Sequence, residues 1–221
     1  MRRWISNGLL RSALEYAERG IPVFPCHHPP PTWARGRWSN LDCSCQQLGC
    51  PHPGAHPLSP RWREEATTDP LRVERCWGRH PRANVGLVTG VVFDVLDVPG
   101  TAGTLGIPQG TTPAGPAAVT GDGRHHFFVA PTGLGDTAVP GRAAPGPRGR
   151  LHWHGRGGYV LAAPSRHPGG ATTRWLRGLD VPLPAASHLA PAPIPAVAPI
   201  PAVASGAPGA PGAPGAPAIL T

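Results

Sequence analysis

Asn84-Val85-Gly86-Leu87-Val88-Thr89-Gly90-Val91-Val92-Phe93-Asp94-Val95-Leu96-Asp97-Val98-Pro99 is the stretch on which the fold turns. Two runs of β-branched and apolar residues flank Thr89-Gly90, the pattern of two paired strands joined by a tight turn. Side chains alternate along a strand, so Phe93, Val95, Asp97 and Pro99 share one face, and Asp94, Leu96 and Val98 share the other. A carboxylate on a mostly apolar strand is costly to bury unless it is paired, hydrogen-bonded or bound to a metal. Asp97 is therefore either the centre of a site or a strand end in water.

Upstream, residues 6–19 read as a helix with an apolar stripe of Ile5, Leu9, Ala13 and Ala17, flanked by Leu10 and Leu14. Gly20 is its stop, and residues 21–25 form a short strand that its prolines confine to an edge. Asp69-Pro70 starts a second helix, with Asp69 as N-cap and Pro70 in the first position; it ends by Pro81.

Downstream, residues 100–116 show no pattern. Residues 117–119 and 124–129 read as strands around a Thr120-Gly121-Asp122-Gly123 turn. Residues 130–150 read as a Gly/Pro/Arg loop, followed by short strands at 151–154, 159–163 and 174–176.

Composition divides the chain. Gly (30) and Pro (32) make up more than a quarter of the 221 residues, and beyond Val181 the chain is almost entirely Pro, Ala, Gly, Val, Leu and Ile, with no charged residue. Residues 1–180 are thus expected to fold as one domain, with residues 26–62 as a Cys/His-rich insert, and 181–221 to form a disordered Pro/Ala/Gly tail. All 20 cationic side chains are Arg, and the net charge is +8. That excess suits a polyanion such as nucleic acid or nucleotide, although GC-rich codon usage also produces Arg. No apolar run approaches the roughly 18 residues of a membrane span, and the expected location is the cytoplasm. No Walker loop, dinucleotide fingerprint or Gly-x-Ser-x-Gly elbow is present, which leaves those enzyme classes without support.

Five cysteines in a reducing compartment favour a metal or free thiols over disulfides. Cys43, Cys45, Cys50 and His56 follow the pattern C-x-C-x4-C-x5-H, the ligand set of a structural zinc site. His52 competes with His56 for the fourth position, and Cys26 is a distant alternative. His152-x-His154 is an i, i+2 pair on one strand face that suits a transition metal. Trp33, Trp38, Trp62 and Trp175 interleave with Arg, which suits either base stacking or ordinary packing.

Four blocks carry a resemblance: residues 13–25 (ALEYAERGIPVFP); Ala66-Thr67-Thr68-Asp69-Pro70 with Trp77 and residues 84–90; Thr120-Gly121-Asp122-Gly123-Arg124-His125-His126-Phe127-Phe128; and residues 155–168 (GRGGYVLAAPSRHP). In this order they resemble the bifunctional DNA primase/polymerase N-terminal domain of the archaeo-eukaryotic primase superfamily, over about residues 10 to 176. The resemblance implies an α+β fold, with a mixed or antiparallel sheet and flanking helices. It also implies an Asp-x-Asp strand and a third acid that bind Mg²⁺ or Mn²⁺, and a His that contacts nucleotide phosphates.

On that pattern Asp97 is the first acid and His125 the nucleotide-contacting His, with Arg124 before it; the second acid falls at Pro99 and the third at His152. Asp94 substitutes only if the register slips by one, and Asp122 lies on a turn. The expected function is a DNA primase/polymerase-type domain acting on DNA and nucleotides beside a separate helicase, with catalysis weakened or lost. The alternatives are a non-catalytic nucleic-acid or nucleotide-binding module and a zinc-stabilised interaction protein.

Overall fold

The structure is a computed structural model that describes residues 8–30, 43–98, 114–143 and 150–189. Helix α1 (Gly8–Glu18) buries Leu9, Ala13, Tyr16 and Ala17, a stripe at helical spacing. It stops at Gly20, whose φ of 75° is the left-handed value that favours glycine. Ile5 of the expected stripe lies outside the described residues.

Strand β1 (Val23–Cys26) follows, then a short helix α2 (Trp62–Glu65) and α3 (Pro70–Arg79). As expected, the Asp69 side chain caps α3 by accepting from the Leu71 N–H at 2.9 Å. Strands β2 (Asn84–Val88), β3 (Asp94–Val98), β4 (Ala117–Val119), β5 (His125–Val129), β6 (Thr137–Ala143), β7 (Arg150–His154), β8 (Tyr159–Leu161) and β9 (Arg174–Arg177) complete the order, before a 3-10 turn at Ala186–Leu189.

The architecture is α+β with two antiparallel sheets. One sheet runs β1-β2-β8 and the other β6-β7-β3-β5-β4-β9. This corrects the expected pairing across Thr89-Gly90: β2 and β3 lie in different sheets. Each already has both edges occupied, β2 by β1 and β8, β3 by β5 and β7.

The turn between them is held by the segment joining β7 and β8. Thr89 donates through its N–H to Gly158 O at 3.1 Å and through its hydroxyl to Gly155 O at 2.7 Å. Gly90 sits at φ 80°, and a Cβ there would fall 2.3 Å from Arg156 Cα, so the chain passes where only glycine fits.

The expected loop at 130–150 also contains a strand, β6, at the edge of the larger sheet. Edge position tolerates its Pro140, and the register shifts between Ala138 and Ala143. Residues 181–189, assigned to the tail by composition, continue the fold: Ala130 N–H donates to Pro184 O at 2.9 Å, and Leu183 packs on the core. Residues 190–221 lie outside the described residues.

The main core joins α1 and α3 to β2 and to one face of the larger sheet, through Leu9, Ala13, Val73, Trp77, Val85, Leu87, Phe93, Val95 and Phe128. Polar atoms in it are paired. Tyr16 donates to Ala163 O at 2.7 Å and accepts from the Trp175 indole at 2.9 Å, and its burial raises the phenol to about 12. Asn84, fully buried, donates to Gly54 O and Arg166 O and accepts from Arg166 N, each at 2.8 Å. That one side chain ties β2 to the Cys/His insert and to the segment after β8.

Candidate functional site

Strand β3 is central in the larger sheet, and its register decides what surrounds Asp97. Asp97 faces His126 of β5 on one side and His152 of β7 on the other, while His154 sits opposite Val95. Directly paired residues point to the same face, so Asp97, His126, His152 and His154 line one surface.

Asp97 is buried and its carboxylate is closed by Arg124. The guanidinium Nε donates to both oxygens, at 2.7 and 2.8 Å. His126 Nε2 and His154 Nε2 each approach to 3.7 Å. Burial alone would raise the carboxyl, but His154, His126 and Arg124 together hold it down to about 2. His126 is lowered to about 4, by burial first and against the pull of Asp97. It is therefore neutral near pH 7, and its Nδ1 is buried without a hydrogen-bond partner among the described residues.

A second carboxylate enters from just before β6. Asp136 Oδ2 lies 3.1 Å from His152 Nε2, and its Oδ1 lies 3.1 Å from His154 Nδ1. Burial opposes its ionisation, yet the two imidazoles hold it far below the usual carboxylate range. His154 bridges both acids, and they raise its pKa above the ordinary value despite burial. Gly158 makes room for Asp136, since a Cβ there would fall 2.2 Å from Oδ1.

The Cys/His insert folds against the end of β1. The ligand atoms of Cys43, Cys45, Cys50 and His56 lie within 4.8 Å of one another, with Cys43 Sγ 3.3 Å from His56 Nε2. The Gly54 N–H donates to Cys43 Sγ at 3.3 Å, the kind of outer hydrogen bond that orients a metal thiolate. Burial raises the Cys43 thiol to about 11, whereas the Gln47 backbone and the neighbouring thiols lower that of Cys45. His52 is not part of the group, and Cys26 is buried with Phe24, Trp62 and Leu161 instead. This Cys₃His group can hold a metal ion, and it is the donor set that suits zinc.

A family model described as bifunctional DNA primase/polymerase, N-terminal, matches residues 13–197. The chain belongs to this family. No curated protein matches it. The primase/polymerase family works with divalent metals and acts on DNA and nucleotides.

In this primase/polymerase domain, Asp97 and His152, the residues that the resemblance sets at the first and third acid positions, adjoin across the β3–β7 pair. Pro99, at the second, lies outside the described residues. His125 pairs with Val98 and stacks beside Phe127, with ring centroids 6.3 Å apart, so it points away from the Asp97 face. His126 occupies that face instead. Asp94 turns away too, accepting from the Thr132 N–H at 2.8 Å and its hydroxyl at 2.6 Å. Asp122 engages the Thr120 hydroxyl and lies 3.9 Å from His167.

A Mg²⁺ site requires open carboxylate oxygens. The residues present do not fit one: Arg124 occupies both oxygens of Asp97, and imidazoles flank Asp136. Sequence reasoning missed Asp136 and His126. Asp136 stands alone in a stretch without motif, and choosing between two adjacent histidines needs the cross-strand register. The tryptophans divide as well. Trp62 packs in the interior against Phe24 and the half-buried Trp175 packs against Phe128, while Trp33 and Trp38 lie outside the described residues.

Proposed function

We propose that this primase/polymerase-type domain binds the phosphates of nucleotides and DNA at the Asp97 surface and has weakened or lost the polymerase chemistry. The observation that carries this reading is the closed Arg124–Asp97 pair, at 2.7 and 2.8 Å, in a site where two of three acid positions are not acids. Arg124, His152 and His154 form a rim of nitrogen-bearing side chains that an incoming phosphate would meet, and His152 is about a third exposed. Asp97 acts as the counter-ion that holds Arg124 in place. A guanidinium is a planar donor of the kind that suits phosphate oxygens.

Zinc in the Cys43, Cys45, Cys50 and His56 group would fasten the insert to β1, a structural role. The proposed site of work is the cytoplasm, with strand opening supplied by a separate helicase.

Two assays test this. Binding of a labelled nucleoside triphosphate should weaken about tenfold or more in Arg124→Ala, the loss expected when one charge-assisted contact is removed. Primer extension with Mg²⁺ should stay near background in the wild type. Brisk Mg²⁺-dependent extension that disappears in Asp97→Ala would overturn the loss of catalysis; nucleotide binding unchanged in Arg124→Ala would overturn the phosphate site.

A further inference from the structure

We infer that Asp136, His152 and His154 form a binding site for a first-row transition-metal ion, distinct in donor chemistry from an all-carboxylate Mg²⁺ site. One ligand atom from each of the three residues lies within 4.8 Å of the other two. His152 and His154 are i, i+2 on β7 and share a face, with ring centroids 4.4 Å apart. Asp136 immediately precedes β6, whose pairing with β7 sets Thr137 opposite Trp153 and Ala138 opposite His152. The carboxylate is thereby delivered between the two rings. Two imidazoles and one carboxylate are the donor set of facial sites for Fe²⁺, Co²⁺ and related ions, and imidazole discriminates against Mg²⁺.

The surroundings support ligation rather than a simple ion pair. His154 has Nδ1 toward Asp136 and Nε2 toward Asp97. A metal on Nδ1 would leave Nε2–H directed at a carboxylate, the arrangement that fixes tautomer and raises basicity in metal-binding histidines. Asp97 is in turn held by Arg124 at 2.7 Å. Gly158 leaves the space that the Asp136 carboxylate fills, since a Cβ there would fall 2.2 Å from Oδ1. The side chains of Asp136 and His152 are each about a third exposed, so an ion there is reached from solvent and keeps positions for water or a phosphate oxygen. The inference does not require that the domain polymerise nucleotides.

The test uses the full chain loaded with one equivalent of Zn²⁺ to fill the thiolate group, then titrated with Co²⁺ in excess Mg²⁺. Calorimetry and visible absorption follow the uptake. One further equivalent should bind with d–d bands and no thiolate-to-cobalt charge-transfer band. Asp136→Asn and His152→Ala should each weaken this uptake at least about tenfold with the circular-dichroism spectrum retained. Asp97→Asn should weaken it by about tenfold through His154. Gly158→Ala, which removes no ligand, should weaken it as well. Absence of Co²⁺ uptake beyond the thiolate group would overturn the site, as would uptake unchanged in both Asp136→Asn and His152→Ala. If one of those two variants fails to fold, the other decides.

Discussion

Arg124 Nε lies 2.7 Å from one oxygen of Asp97 and 2.8 Å from the other, and both side chains are largely shielded from water. Such a pair costs desolvation to form, and removing one member strands the other charge. Arg124→Ala is therefore expected to destabilise the domain by about 3 kcal/mol in urea denaturation. Arg124→Ala combined with Asp97→Asn should recover part of that loss, because no charge is then left buried. A double variant as unstable as the sum of its parts would contradict the coupling.

The same cluster sets an acid limit. Asp97 is held down to about 2 in the folded state, below its unfolded value near 3.8. Its stabilisation is fully present above pH 4 and is lost as pH falls from there through 2, an effect of order 2 kcal/mol. His126, lowered to about 4 from 6.5, acts over a higher window. Between those values the unfolded chain binds a proton that the folded chain does not, so stability falls as pH drops from 6.5 to 4. His154 has the opposite sign: its raised pKa adds stability below 6.5 that fades as pH rises through its folded value. Melting temperature against pH should show a slope between 4 and 6.5 that is reduced in His126→Gln.

Gly90 joins the two sheets at φ 80°, with Arg156 backbone in the place of a side chain. Gly90→Ala combines a left-handed backbone with a clash that no side-chain rotation relieves, and should cost about 2 kcal/mol or more. Gly133→Ala has an equally positive φ but open space around it, so it isolates the backbone part at about 1 kcal/mol. Equal losses in the two variants would show that the Arg156 contact contributes nothing.

Purified protein should carry close to one zinc per chain, and chelation should lower the melting temperature and expose the insert to protease around residues 43–57. Structural zinc is coupled to folding because the ligand cage does not exist in the unfolded chain. Cys43→Ser should reproduce the chelated state, since Cys43 is the buried ligand that receives the Gly54 N–H. Metal content below about 0.2 equivalents in protein prepared without chelator would argue against zinc.

Local rules made much of this molecule legible. The Asp69 cap, the Pro70 start and the Gly20 stop bound two helices through short-range hydrogen bonding and backbone sterics alone. Alternation marked β2, β3 and β5, and cysteine spacing marked the four-ligand group, because each depends on residues close in sequence. The order of the family blocks carried the family itself. The site was half visible: Asp97, Arg124 and His152 could be named, but their neighbours could not.

What the sequence by itself determined was therefore the set of elements, the α+β class, the family and the identity of one awkward carboxylate. The tertiary structure alone decided that β2 and β3 part into two sheets, because the competing pairings with β1, β8, β5 and β7 leave neither strand a free edge. It also decided that His126 rather than His125 meets Asp97, since cross-strand register is a property of three strands together. Asp136 reaches the site only because β6 pairs with β7, a contact made across the β6–β7 connection and silent in any local pattern.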